Sequence, residues 1–412
     1  MPKRIPRCGQ YARNTAYLTK TCGSTRGECR YLSAIIYLTN QTIKQENLSQ
    51  SMGLLAVRQS PAYYWENSVA FSIPEHPRNQ VRRAGSILIG KKEGDIEASQ
   101  LILDNWRASH SYPLQAARNV LQSRALRIDP HSITVQRLKT RKSILAKLVR
   151  YPHMHLSTMQ DIGGCRAIVD SFDHLLALIE TYTRNTPNPA FQAVEVYNYL
   201  NGKEDGYRGV HLVHQYSRSD NPYDGLKVEL QLRSRSQHAW ATATEVVSTF
   251  TKQNLKAGVG DDDWKRFFWL AGGLLAGMEN PLAAKDFIPA EMMPELIELW
   301  DKLSVPHLLV GFMQTFHPVS QTHVPNATSF LLDLDAEKRT VQVRGFNDVD
   351  LQFAIAQYND LDQRYAGDPM RQAVLVSMDD LQNLRTAYPN FYADTEEFLI
   401  KMERGIRAWQ SL

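Results

Sequence analysis

The chain has 412 residues, 43% hydrophobic and 22% charged, with a net charge of +4 and four cysteines. That length suits two or three domains and that composition a folded globular protein, while a charge so near balance does not by its sum mark a polyanion binder. The cysteines are too few for a disulfide framework, no secretory pattern opens the sequence, and the longest apolar runs, such as FFWLAGGLLAGM at 267–278, fall short of the roughly 20 residues of a membrane span, so a cytoplasmic protein with no membrane partner is expected.

Residues 1–78 have no sustained period and are rich in Arg, Ser, Thr, Asn and Gln, which predicts a poorly ordered extension. Cys8, Cys22 and Cys29 fall there without a CxxC spacing and are not read as metal ligands. From residue 93, EGDIEASQLILDNWRASH carries apolar residues at helical spacing behind an acidic first turn, and a second helix is predicted through ARNVLQSRAL. A third is predicted over HSITVQRLKTRKSILAKLVR, capped by Ser132 or Thr134. The period then switches. CRAIVD reads as a buried strand, SFDHLLALIETYTR as a helix, QAVEVYNYL, GVHLVHQYS and LKVELQLRS as strands, and SQHAWATATEVVSTFTKQ as a long helix. Helical stretches at 262–280 and 290–316 follow, and Trp240, Trp264, Trp269 and Phe267 sit at core spacings. After the turn-rich HPVSQTHVPNATS, SFLLDLD and RTVQVRGF predict a hairpin around AEK, then a helix at 347–359, a strand AVLVSM and a last helix ending near 410. The fold class expected is α+β, a mixed β-sheet flanked by helices over 79–320 with a small C-terminal α/β module over 321–412.

Three features carry chemistry. Between Arg118 and Arg150 nine cationic side chains face Asp129 alone, and Lys139, Ser143 and Lys147 are spaced by four. Such unbalanced charge suits a phosphate-rich partner, and a solvated helix face explains it about as well. Asp161 precedes the CRAIVD strand, and Glu229, Gln231 and Arg233 alternate with Val228, Leu230 and Leu232. Two such acids, distant in sequence, can converge on a hard cation such as Mg²⁺ beside phosphates, although a solvent-facing strand has the same pattern. In DGYRGVHLVHQY, counting by twos puts Tyr207, Gly209 and His211 on one side, so the missing side chain at Gly209 is either a packing detail or a seat for a flat base. No Walker loop and no HExxH motif competes for these roles.

The ordered set RLKTRKSILAKL, QDIGGCRAIV, DGYRGVH and VELQLRSRSQHAWA, within residues 130–250, resembles the synthetase domain of the RelA/SpoT alarmone synthetases. RSRSQHAWATATE and LRTAYPNFYADTEEF resemble a single-domain branch that lacks the hydrolase half, and no HD motif is found. The resemblance implies a nucleotidyltransferase-like core that moves the β,γ-pyrophosphate of ATP to the 3′-hydroxyl of GDP or GTP, making (p)ppGpp, with Mg²⁺ as cofactor. By motif position it implies ATP binding by Arg137, Lys139, Ser143, Lys147 and Arg166, with Lys142 assisting, and metal binding by Asp161 and Glu229. Glu229 would also take the acceptor proton, Tyr207 would stack on guanine, and His211, Gln231 and Arg233 would position phosphates or ribose. Two rivals stand beside this: a toxin-like relative that pyrophosphorylates the 3′-end of tRNA, and a non-catalytic nucleotide- or RNA-binding module. A homo-oligomer is compatible with the sequence, and the C-terminal module is expected to supply part of the control.

Overall fold

The structure, a computed structural model, describes residues 71–411 apart from 185–189, 252, 254, 256–258, 281–287, 316, 323, 325–326, 366–367, 369, 378–388 and 390–393. Most of the expected extension 1–78, with Cys8, Cys22 and Cys29, lies outside the described residues, as does most of LRTAYPNFYADTEEF.

Three helices lead into the sheet: α1 (Arg78–Leu88), which the sequence reading missed, α2 (Ile96–Ala108) and α3 (Ser111–Ile128). The start of α2 is fixed by Asp95, whose carboxylate accepts from the Ala98 N–H and so satisfies one of the orphan donors of the first turn. The predicted third helix is a correction. Its first half is strand β1 (Ile133–Leu138), and only Arg141–Arg150 is helical, forming α4. The β-branched run Ile133, Thr134, Val135 favours extended backbone. Thr140, not Ser132 or Thr134, is the cap, and it accepts from the Ser143 N–H.

The remaining strands are β2 (Gly163–Val169), β3 (Phe191–Asn198), β4 (Val210–Tyr216), β5 (Lys227–Ser234), β6 (His317–Thr322), β7 (Ser329–Asp335), β8 (Thr340–Phe346) and β9 (Arg371–Ser377). They form one mixed nine-stranded sheet in the order β3-β4-β5-β2-β1-β9-β7-β8-β6. β2 runs parallel to β5, and β6 to β8; the other pairs are antiparallel. The α+β class read from the sequence is borne out. Two features of the C-terminal part were not legible: HPVSQTHVPNATS contains β6, and β9 pairs with β1 through Gln136↔Ser377 and Arg137↔Val376, so the strands beyond 321 continue the same sheet.

The other helices are α5 (Phe172–Thr183), α6 (Arg235–Phe250), α7 (Asp262–Glu279), α8 (Met293–Lys302), α9 (Val305–Thr315), α10 (Leu351–Arg364) and α11 (Glu396–Gln410). The single helical stretch predicted at 290–316 is broken into α8 and α9 at Ser304, whose φ of 48° is left-handed and cannot propagate a right-handed helix. Side chains of α6, α7, α8 and α11, among them Trp240, Phe267, Leu296 and Phe398, pack with Ile133, Val135 and Ile168 on one side of the sheet. Leu121 of α3, Ile144 of α4 and Leu175 of α5 pack with Cys165, Ala167 and Leu212 on the other. Trp240, Trp264 and Phe267 are buried, as their spacing predicted.

One contact fixes the approach to β4. Gly206 has φ +86°, and a Cβ there would lie 2.8 Å from the Trp269 Cα of α7; a Cβ at Gly272 would lie 2.6 Å from the Gly206 carbonyl. The DGY turn is therefore pressed backbone to backbone against α7, an approach only glycine permits.

Candidate active site

Strand register builds the floor of the site. Tyr197, His211, Gln231, Arg166 and Val135 are directly paired across β3, β4, β5, β2 and β1. The next row is Val213, Glu229, Gly164 and Arg137. Paired residues share a face, so the chemistry-bearing side chains of five strands stand on one side of the sheet. They lie beyond the end that α6 and α7 cover through Ile133, Val135 and Ile168. The open place in this floor is Gly164: a Cβ there meets nothing closer than the Glu229 carbonyl at 4.0 Å. Gly209, where the strand pattern suggested a seat, is not open. Its Cβ position is 3.0 Å from the Tyr207 hydroxyl, because the Tyr207 ring folds back over it.

At one edge of this floor Asp161 gathers the lysines. Its Oδ2 lies 3.0 Å from the Lys139 Nζ and 2.8 Å from the Lys147 Nζ. Lys139 sits in the turn after β1 rather than on the helix, held by its N–H to the Ile162 carbonyl at 2.8 Å, so the expected stripe of three is the helix pair Ser143 and Lys147 plus a turn residue, of which the two lysines converge on one acid. Asp161 Oδ1 is buried and accepts no hydrogen bond among the described residues. Ser143, in the first turn of α4, accepts from the Thr140 hydroxyl at 2.8 Å and remains exposed.

Tyr207, His211, Glu229, Gln231 and Arg233 close into a ring of hydrogen bonds. The Arg233 Nε donates to the Tyr207 hydroxyl at 3.3 Å, that hydroxyl is 2.6 Å from the His211 Nε2, and the His211 Nδ1 is 3.0 Å from the Glu229 Oε1. The Gln231 Nε2 donates to the Glu229 Oε2 at 2.8 Å, and the Arg233 Nη2 returns to the Gln231 Oε1 at 3.2 Å. A proton on the His211 Nδ1 is donated to the carboxylate, while Nε2 meets the phenol. Burial alone would raise the Glu229 carboxyl; the hydrogen bonds from His211 and Gln231 and the charge of Lys147 outweigh it and hold the group down at about 2. Burial raises the Tyr207 phenol, against the lowering influence of Arg233.

Lys147 thus acts on both acids, pairing with Asp161 and stabilising the ionised Glu229. Arg137 flanks Gly164 on the β1 side, and Arg166 stands one row over.

The sequence reading missed Tyr197 and Tyr199. Their rings are parallel within 9°, at 6.2 Å, and Tyr199 meets His211 edge-on at 5.5 Å. The Lys203 ammonium lies 5.2 Å over the Tyr199 ring. The alternation in VYNYL could have placed both tyrosines on one face, but the pairing that brings that face beside His211 is non-local. Residues 136–253 match the family model described as the region found in RelA / SpoT proteins.

The chain carries a RelA/SpoT region.

Among solved structures, the chain is similar to the small alarmone synthetase 1 from Bacillus subtilis (22% identity over 50% of this chain and 100% of that one, TM-score 0.37). It is also similar to the same enzyme bound to its product pppGpp (23% identity, 46% and 96%, TM-score 0.37) and to a GTP pyrophosphokinase family protein from Streptococcus pneumoniae (19% identity, 48% and 96%, TM-score 0.36). No curated protein matches the chain. The RelA/SpoT region holds all of the residues described above from Arg137 to Arg233, and it ends just beyond α6. Among the described residues no helix is long and apolar enough to cross a membrane.

Proposed function

We propose that the chain is an ATP-dependent pyrophosphokinase that transfers the β,γ-pyrophosphate of ATP to the 3′-hydroxyl of GDP or GTP, making (p)ppGpp. The observation that carries this reading is the placement of Asp161 between Lys139 and Lys147, with Glu229 within the field of Lys147 and the open floor at Gly164 beside it. Arg137, Lys139, Ser143, Lys147 and Arg166 take the ATP side. The Tyr207–His211–Gln231–Arg233 ring, with Tyr199 at its edge, takes the acceptor.

The acceptor 3′-oxygen attacks the β-phosphorus in line, forming the new P–O bond. The bond from the β-phosphorus to the oxygen it shares with the α-phosphate breaks, AMP leaves, and the hydroxyl proton passes to Glu229. A carboxyl held near 2 is a weak base, so positioning and charge stabilisation supply most of the acceleration. The lysines neutralise oxygens as charge shifts toward AMP.

Asp161 and Glu229 fit a Mg²⁺ site. Asp161 Oδ1 is a buried oxygen without a partner, and no group of three or more metal-ligating side chains occurs among the described residues. Magnesium ordinarily takes only one or two protein carboxylates and completes its shell with phosphates and water. Asp161 and Glu229 would hold the ion, which would offset the charge of the phosphates.

The test is transfer of label from γ-labelled ATP offered separately with GDP, GTP and bulk tRNA. Label in GDP or GTP, with release of AMP, is expected. Label in tRNA alone would establish the tRNA-modifying alternative, and transfer to none of them a binding module.

A further inference from the structure

The helix that carries Ser143 and Lys147 begins against the C-terminal part of the chain. Asp362, on α10, is buried at 6% exposure, and its Oδ2 accepts from the Arg141 backbone N–H at 2.8 Å. Arg141 is the first residue of α4, so this N–H is one of the orphan donors of the helix start; the cap Thr140 serves a different one, that of Ser143. A carboxylate at that end also opposes the positive pole of the helix dipole.

Asp362 is itself held in place. The Arg107 guanidinium, buried on α2, lies 3.5 Å from Asp362 through Nη1, stacks over the Tyr358 ring at 4.8 Å and donates to Asn359. Two further contacts grip the same turn. The Arg141 side chain is paired with Asp104 of α2, its Nε donating at 2.6 Å, and the Lys142 Nζ donates to the Asp368 carbonyl at 3.0 Å. Three contacts from outside the RelA/SpoT region therefore fix where α4 starts. Lys147, in its second turn, reaches Asp161 from there.

We propose that Asp362 is a positioning residue for the ATP side of the site. It sets the start of α4, and so the placement of Ser143 and Lys147, from 221 residues away in sequence. The C-terminal module then completes the ATP pocket, and a signal that moves α10 acts on ATP before it acts on the acceptor. That Ser143 and Lys147 hold ATP phosphates rests on the function proposed above; that Asp362 fixes α4 does not.

The closing experiment uses the full chain and Asp362→Asn, which keeps an acceptor for the Arg141 N–H but removes the charge. Three readouts are taken: KM for ATP and for GDP, affinity for a non-hydrolysable ATP analogue, and hydrogen exchange of the amides of 141–150. A rise of roughly two- to thirty-fold in KM for ATP and in the analogue Kd is expected, the range spanned by a charge at a helix terminus. KM for GDP should stay within about two-fold, and faster exchange should be confined to 141–150. A buried Arg107 facing a neutral partner can unfold the chain, so Arg107→Met with Asp362→Leu is the second variant, because removing both charges avoids stranding either. It should show the same split. Unchanged exchange at 141–150 in a folded variant, or equal loss toward both substrates, would overturn the proposal. Absence of transfer by the unaltered chain would count against the proposed function alone, since the exchange and analogue measurements read Asp362 without it.

Discussion

At the scale of single residues, Glu229 is the group whose ionisation the site most strongly enforces. Its carboxyl is held at about 2 by His211, Gln231 and Lys147, below its ordinary 4.5. A lowered folded-state value means that this stabilisation is fully present above about 4.5 and is lost as the pH falls through about 2. The unaltered chain should therefore lose urea stability between those values by more than Glu229→Gln does, and comparing the midpoints at pH 6 and pH 3 measures the difference. Near neutral pH the same variant should lose at least about 100-fold in transfer rate while still binding nucleotide, the scale typical of removing one charge-stabilising group. Tyr207 and Tyr199 separate in the same way. Tyr207→Phe removes the hydroxyl that links Arg233 to His211 but keeps the ring, so it should lower kcat; Tyr199→Ala removes a ring and should raise KM for the acceptor. Steady-state kinetics with the acceptor varied decides between them, and equal effects of both changes would mean that the hydroxyl has no role of its own. Of the residues chosen from the sequence, Lys139 and Lys147 meet at Asp161, and Tyr207, His211, Glu229, Gln231 and Arg233 share one ring of hydrogen bonds. What motif order could not supply is which glycine lies open: Gly209 is covered by Tyr207, and Gly164 lies clear between its strand partners Arg137 and Glu229.

At the scale of elements, the informative failure is HSITVQRLKTRKSILAKLVR. Its apolar residues fit a helical stripe throughout, so periodicity alone could not see that β1 ends and Thr140 restarts the chain as α4. The β-branched start and the Thr-Arg-Lys-Ser cap were the signals available, and the strand partner that decides the matter, β2, lies some 30 residues on. Most other elements were legible because their periods are clean and their ends are capped, as at Ser234, which exchanges hydrogen bonds with Gln237 in a capping box. The DGY turn tests a further element, since its seat on α7 depends on two facing glycines. Gly206→Ala places a Cβ 2.8 Å from the Trp269 Cα at a positive φ, and should cost roughly 1–3 kcal/mol or more in urea-unfolding free energy. Because the turn carries Tyr207, activity should fall beyond what the lost stability explains. Retained stability and activity would show that the turn can lift off α7 freely.

At the scale of the whole molecule, the continuous sheet changes what a C-terminal truncation means. A module beginning at 321 reads from the sequence as separable, because the turn-rich segment before it looks like a linker and the pairing of β9 with β1 joins positions some 240 residues apart. In the structure, removing 321–412 strips β1 of its neighbour and leaves its edge groups exposed, an invitation to pair with another chain. It also removes Phe398, Leu399, Met402 and Ile406, buried in the core shared with α6 and α7. Burial of such side chains is worth about 1.5–3 kcal/mol each, and a whole domain is stable by only about 5–15 kcal/mol. Four of them therefore rival the entire margin before the lost strands are counted. A chain ending at residue 320 is expected to lack a cooperative urea transition and to aggregate, so that its inactivity would report unfolding rather than lost control. Far-UV circular dichroism through a urea titration, alongside the full chain, checks this. A cooperative transition together with normal transfer would mean that β1 and the α6–α7 face are complete without the strands and helix that cover them here.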